Sequence, residues 1–236
     1  MNASAAAVPG KSISSSDLSI GTLMAFIAGF VDTCGFVALF GLFTAHVTGN
    51  FVLIGATLAS SRPGILAKLL AFPVFILAVA ATQAYLHRCK RNGRDPTRAV
   101  LLGQALFLAL FLALGVWASP VQDADAPLTI LIGMAGVAAM AIQNVAARTV
   151  FAAQAPTTVM TGNVTQTVMD AVEVAYGADA GPAKARLKKM LPPVFGFAVG
   201  AILAGLSFVR LGFWSLIVAL IAIAVVVGSL RPRPHT

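Results

Sequence analysis

Charge is scarce in this sequence: 10% of its 236 residues are Asp, Glu, Lys or Arg, and 58% are hydrophobic. An ordinary soluble domain has about 25% charged and about 45–50% apolar residues, so a water-soluble globule is excluded. Only 8 residues are acidic. Cysteine is limited to Cys34 and Cys89, too few for a disulfide framework. Both read as free thiols, Cys34 in an apolar run and Cys89 beside the most basic loop. Three scattered histidines, His46, His87 and His235, have no Cys or carboxylate at ligand spacing, so no zinc site is expected. There is no Gly-rich phosphate loop ending in Gly-Lys-Ser/Thr and no nucleophile elbow, so neither a bound nucleotide, another cofactor nor an enzymatic activity is expected.

What the sequence has is long apolar runs, with a mean hydropathy of +0.90. They fall at 18–43, 64–86, 99–118, 128–147, 190–209 and 211–230, each near the ~20 residues a membrane-crossing helix needs. Two further stretches, 48–61 and 161–177, are too short or too polar for confident spans and read as re-entrant half-helices. The expected fold class is therefore an all-α integral membrane protein. One transmembrane domain covers 18–230, between a flexible cytoplasmic tail at 1–17 and a second cytoplasmic tail at 231–236, with no cleaved signal peptide evident.

The 16 Lys and Arg lie between the apolar runs. They mark membrane sidedness rather than a nucleic-acid partner. Six crossings place 13 of them on one side: Lys11, Arg88, Lys90, Arg91, Arg94, Arg98, Arg148, Lys184, Arg186, Lys188, Lys189, Arg231 and Arg233. Arg62, Lys68 and Arg210 fall on the other. If 48–61 and 161–177 also crossed, the count would become 7 against 9 and the bias would reverse, so six spans with both termini cytoplasmic is the better arrangement.

The chain also repeats itself. Ala28-Gly-Phe-Val-Asp32 parallels Met140-Ala-Ile-Gln-Asn144, and His46-Val-Thr-Gly-Asn50 parallels Val159-Met-Thr-Gly-Asn163. Lys68-Leu-Leu-Ala-Phe-Pro-Val-Phe75 parallels Lys188-Lys-Met-Leu-Pro-Pro-Val-Phe195. Three crossings per repeat is an odd number, so the halves, 18–118 and 128–230, are expected to sit upside down relative to each other, as in many transporters.

The candidate site follows from that symmetry. Thr48 and Thr161 are good N-cap residues for helices opening at Gly49 and Gly162. Two half-helix N-termini at membrane depth would present free N–H groups and positive dipole ends to an anion or carbonyl, with Asn50 and Asn163 beside them. The plainer reading is that each Thr-Gly-Asn caps a turn between packed helices. Asp32 lies mid-span, where a charge costs at least about 2.5–3.5 kcal/mol, and its repeat counterpart is Asn144, next to Gln143. One titratable member of a pseudo-symmetric pair suits a proton-coupled carrier, although packing against hydroxyls such as Thr33 or freed N–H groups would also explain it. His46 is either a group that exchanges protons near neutral pH or a boundary histidine that only hydrogen-bonds a loop carbonyl. Asn163, Gln166, Asp170 and Glu173 form a polar stripe on the second half-helix, in which Asp170 and Glu173 are gate candidates or simply reach the bases of 184–189.

These paired motifs, Gly29-Phe-Val-Asp32, Ala45-His-Val-Thr-Gly-Asn50, Gln143-Asn144 and Pro156-Thr-Thr-Val-Met-Thr-Gly-Asn163, resemble the YoaK-like family of bacterial membrane proteins, a domain of unknown function. The resemblance runs from about residue 20 to 230. It implies six spans in a bacterial inner membrane and carries no substrate. The expected function is a secondary transporter or permease for a small polar or anionic solute. A passive small-anion channel and a non-transporting assembly or stress factor are the alternatives. The expected partners are the lipid bilayer and a small solute or ion, with a homodimer left open.

The charge bias yields a test. In a background lacking Cys34 and Cys89, a cysteine at Asn92 is expected to be shielded from a membrane-impermeant maleimide applied outside, while one at Gln122 reacts. The reverse pattern overturns the orientation.

Overall fold

The computed structural model describes residues 15–60, 63–177 and 180–230. Among these there are helices and no strand: α1 (Ser15–Ala38), α2 (Gly49–Ser60), α3 (Ile65–Arg91), α4 (Thr97–Ala118), α5 (Pro127–Arg148), α6 (Met160–Tyr176), α7 (Ala180–Leu211) and α8 (Ile217–Ser229). A short 3-10 turn, Gly212–Leu216, joins α7 to α8. Five segments are long and apolar enough to cross a membrane: Leu18–Ala38, Ile65–Arg91, Thr97–Ala118, Pro127–Arg148 and Ala180–Ser229. The last contains the final two spans expected from sequence, divided at Gly212, whose φ of 55° no regular right-handed helix accommodates.

Several boundaries differ from the sequence reading. The first helix opens at Ser15, inside the stretch expected to be tail; the remainder of both tails, 1–14 and 231–236, lies outside the described residues. It ends at Ala38 rather than 43, because Phe40 and Gly41 take left-handed conformations (φ 54° and 81°) and the Gly41 N–H bonds back to the Phe36 carbonyl. This is a Schellman-type stop with a phenylalanine where glycine is usual, a conformation that costs roughly 1–2 kcal/mol. The Lys68 ammonium, donating to the Phe40 carbonyl at 3.0 Å, holds it in place. At the other end of the chain α7 begins ten residues before the apolar run at 190, because the Lys-rich stretch 184–189 continues the helix.

Direction along the bundle can be read from contacts. Gly196 lies on Thr22, Gly200 on Phe26 and Gly205 near Thr33, so α1 and α7 run parallel. Gln143 donates to the Met24 carbonyl while Gly133 lies against Leu39 and Leu42, so α5 runs antiparallel to α1. The Gly64 N–H meets Asp125 at the starts of α3 and α5, which therefore run parallel. At one end of α4 Phe213 packs on Phe111 and Gly115, and at the other Arg98 donates to the Leu230 carbonyl, so α8 is antiparallel to α4.

Helices α1 and α5 form the centre: 61% and 72% of their apolar windows are buried, against 22% for α3 and 33% for α4. Helix α1 packs on α7 and α8, whereas α5 packs on α3 and α4; α2 lies on α3, and α6 on α7. The tightest seam is α1–α7. A Cβ on Gly29 would collide with the Phe197 carbonyl, one on Gly200 with the Phe26 carbonyl, and one on Gly196 would stand 2.6 Å from the Thr22 oxygen. Small residues thus bring two backbones together, the usual route to close packing where lipid removes the hydrophobic drive between helices. The Gly196 and Gly200 face is an internal seam.

Because the obstacle at Gly200 is backbone rather than a movable side chain, Gly200→Val is expected to destabilise by about 1–3 kcal/mol or more. Gly55→Ala on α2, where a Cβ meets nothing within 4 Å, should change stability by no more than about 1 kcal/mol. Thermal unfolding in detergent checks the pair; equal effects would contradict the seam.

Candidate functional site

The 39–48 loop turns back from the end of α1 and runs inward beside it, which exposes its backbone polar groups to an apolar setting. Asp32, six residues before the helix end and 4% exposed, meets that need. Its Oδ1 accepts the N–H groups of Thr44 and Ala45, both at 2.7 Å, and the Thr44 hydroxyl at 3.3 Å. Its Oδ2 lies 2.7 Å from His46 Nδ1. Since Oδ2 of a carboxylate can only accept, the proton of a neutral His46 sits on Nδ1. That leaves Nε2 facing away, in a side chain 35% exposed and edge-on to the Phe197 ring. The partner hydroxyl is that of Thr44, where the sequence had suggested Thr33.

Asn50 pins the same loop from α2. Its Oδ1 accepts the Phe43 N–H at 3.0 Å and its Nδ2 donates to the Phe43 carbonyl at 2.9 Å, so the fully buried amide pairs with one backbone unit as a strand neighbour would. Gly49 lies against the Phe43 ring, where a Cβ would be 2.9 Å from a ring carbon. The first N–H groups of α2, on Gly49, Asn50 and Phe51, bond to the carbonyls of His46, Val47 and Thr48. They are engaged within the loop, and Thr48 is exposed.

Around the second loop, anchoring bonds fall at matching spacings. Thr158 donates to Asn144 Oδ1 at 2.6 Å, across the same 14-residue spacing as Asp32 and His46. Asn163 donates to the Pro156 carbonyl at 2.6 Å, across the same 7 residues as Asn50 and Phe43. Gln143 Nε2 donates to the Met24 carbonyl at 2.7 Å and to the Thr157 hydroxyl at 3.2 Å, and its Oε1 accepts from Gln104 at 2.6 Å. Here the helix opens at Met160 after an uncapped Val159, so Thr161 and Gly162 are exposed residues inside the first turn, and Thr161 is not the N-cap the sequence suggested. The extra residue between Asn144 and Asn163, relative to Asp32 and Asn50, lengthens this loop and shifts the helix start.

The two loops approach from opposite ends. The first meets α1 at Asp32; the second reaches it through Gln143 at Met24, eight residues along, or about 12 Å at 1.5 Å per residue. Asn50 bonds to Phe43 of the first loop and Asn163 to Pro156 of the second. The structure thus brings Asp32 together with His46, and sets Gln143 and Asn144 of α5 on the successive loop residues Thr157 and Thr158.

Asp170 and Glu173 meet a single base. Arg186 on α7 donates to Asp170 Oδ1 through Nε at 2.9 Å and Nη2 at 2.7 Å, and to Glu173 at 3.1 Å, while Gln166 adds a bond to Asp170 at 2.9 Å. The Arg186 guanidinium holds the Asp170 carboxyl below the usual range; burial opposes this and Gln166 assists it. Among the described residues no three His, Cys, Asp or Glu side chains gather as a metal site. Of the residues the sequence reading assigned no role, Gln104 had a signal, being a lone amide in an apolar run, and Thr157 and Thr158 stood inside the Pro156–Asn163 motif; Thr44 had none, since only folding brings it to its partner.

Comparison with known proteins adds the family. A model described as "Protein of unknown function (DUF1275)" matches residues 20–229. The chain belongs to this family. It is 30% identical over 152 residues to "UPF0700 transmembrane protein YoaK" of Bacillus subtilis (strain 168), covering 63% of this chain and 64% of that protein. No solved structure matches the chain. It is a multi-pass membrane protein of a family whose function is unknown.

The α6–α7 clamp has a defined pH response. A lowered carboxyl pKa contributes stability above the unfolded value, about 3.9, and loses it as pH falls through the lower folded one. Protection of α6 amides from hydrogen exchange, corrected for intrinsic rate, should therefore be unchanged between pH 5 and 8. Asp170→Asn should reduce it several-fold throughout; unchanged protection in that variant would show that the clamp does not hold α6.

Proposed function

We propose that this chain is a carrier, not an enzyme: a secondary transporter or permease for a small polar or anionic solute, coupled to protons through Asp32 and His46. The observation that carries this reading is the pair of a buried Asp32 carboxylate and a partly exposed His46 imidazole at 2.7 Å, seated where a loop folds back into the bundle. A charge at that depth is expensive, and groups retained there in membrane proteins commonly serve ion or substrate paths. Imidazole is the side chain suited to exchanging protons under physiological conditions, and His46 belongs to the loop that joins α1 to α2. Proton exchange at His46 would change both the charge of the pair and the anchoring of that loop, the coupling an alternating-access carrier requires.

The proposal includes six crossings, α8 with its 3-10 lead-in being the sixth, in a bacterial inner membrane with both termini cytoplasmic. Eighteen residues from 212 to 229 give roughly 29 Å at about 2.0 and 1.5 Å per residue, close to the hydrocarbon thickness. The reversal of α8 against α4 supports this count. Inverted repeats are supported by the antiparallel α1 and α5, by the exchange of packing partners between halves, and by the shared 14- and 7-residue spacings of the loop anchors.

Proteoliposomes enclosing a pH-sensitive dye test the function against a panel of amino acids, small carboxylates and inorganic anions. At least one solute is expected to drive a saturable lumenal pH change that Asp32→Asn abolishes while solute exchange persists. Ohmic current that survives Asp32→Asn would indicate a channel. No flux of any solute through folded protein would indicate a structural role, and either result overturns the proposal.

A further inference from the structure

At the end of the bundle where α3 begins, a cavity of about 290 Å³ lies between α1, α2 and α3. Phe36 and Phe40 form one wall, Leu53, Ala56 and Thr57 of α2 another, and Lys68 closes it. The Lys68 side chain belongs to a residue only 3% exposed, and its ammonium donates to the carbonyls of Phe40 and Gly64, each at 3.0 Å. An ammonium has three protons to donate, and two carbonyls among the described residues accept from it, which leaves one proton without an acceptor among them. No carboxylate among the described residues forms an ion pair with it within 4.0 Å. The nearest acid by interaction, Asp125, is engaged by the Gly64 N–H at 3.1 Å and does not line the cavity. A buried cation whose interacting acid, Asp125, stands beyond ion-pair distance is costly. The repeat counterpart Lys188 is exposed, so the feature belongs to one half alone.

The walls describe the rest of the ligand. Phe36 and Phe40 are 39% and 40% exposed, and Leu53 and Ala56 supply the apolar wall on α2. We propose that this cavity binds an anionic amphiphile, its carboxylate or phosphate head on Lys68 and its apolar chain along Phe36, Phe40 and α2. The site is separate from Asp32 and His46 and stands whether or not the chain transports a solute. Its volume, at the low end of the roughly 300–1,000 Å³ of small-molecule pockets, fits a head and a short length of chain.

The same head chemistry comes from a free fatty acid or from an anionic lipid, and two probes separate them. Protein in phosphatidylcholine nanodiscs is titrated with radiolabelled octanoate; in parallel, native mass spectrometry compares retention of phosphatidylglycerol with phosphatidylcholine. The variants are Lys68→Met, which removes the cation, and Ala56→Leu, which fills the cavity from α2 and leaves both Lys68 bonds in place. Saturable octanoate binding, or selective phosphatidylglycerol retention, that weakens at least tenfold in Ala56→Leu is the expected result, and the responding probe identifies the source. Should Lys68→Met fail to fold, Ala56→Leu decides alone. Binding of neither probe by the wild-type protein, equal binding by Ala56→Leu, or full binding by a folded Lys68→Met overturns the proposal.

Discussion

Backbone N–H and C=O groups cannot be left bare in an apolar phase, and most of the polar chemistry inside this protein answers that constraint. The loops 39–48 and 149–159 leave the central helices and fold back beside them, out of reach of a helical or strand ladder. Side chains substitute for the missing partners. Asp32 takes two N–H groups of the first loop, Asn50 pairs with both polar groups of Phe43, and Asn144, Gln143 and Asn163 hold the second loop at Thr158, Thr157 and Pro156. Each bond to a charged acceptor contributes about 1.5–3 kcal/mol net, and each deserted buried group would cost a similar amount.

The anchors share their spacing along the two stretches, but their chemistry differs. Around the second loop every anchor is a neutral amide or hydroxyl. At the first, the corresponding position is a carboxylate, and the residue 14 positions on is an imidazole. Asn144 meets its loop through the Thr158 hydroxyl, whereas Asp32 takes the Thr44 and Ala45 N–H groups as well as His46. The charge at Asp32 therefore serves the loop as well as the pair with His46, and the functional proposal rests on the pair.

Packing follows a different logic at the α1–α7 seam. Glycines there allow two backbones to approach so closely that carbonyl oxygens occupy the space of absent side chains. With α1 fixed against α7, the carbonyl of Met24 faces Gln143, Cys34 faces Ser215, and His46 meets Phe197. Both the orientation of the loops and the reversal of α8 at Gly212 build on that parallel pair.

Composition and hydropathy alone determined that the chain is an all-helical membrane protein, because a bilayer admits few other ways of satisfying the backbone of an apolar run. They also marked α2 and α6 as short helices at the Thr-Gly-Asn motifs, and Asp32 as a buried acid in need of a partner. The stop at Phe40 was not legible, since its left-handed turn depends on Lys68, 28 residues away in sequence. Nor was the engagement of the first N–H groups of α2 by their own loop, or the joining of Asp32 to His46. Hydropathy reports which segments leave water. Which polar groups find one another once water is excluded depends on three-dimensional register, and only the tertiary structure supplies it.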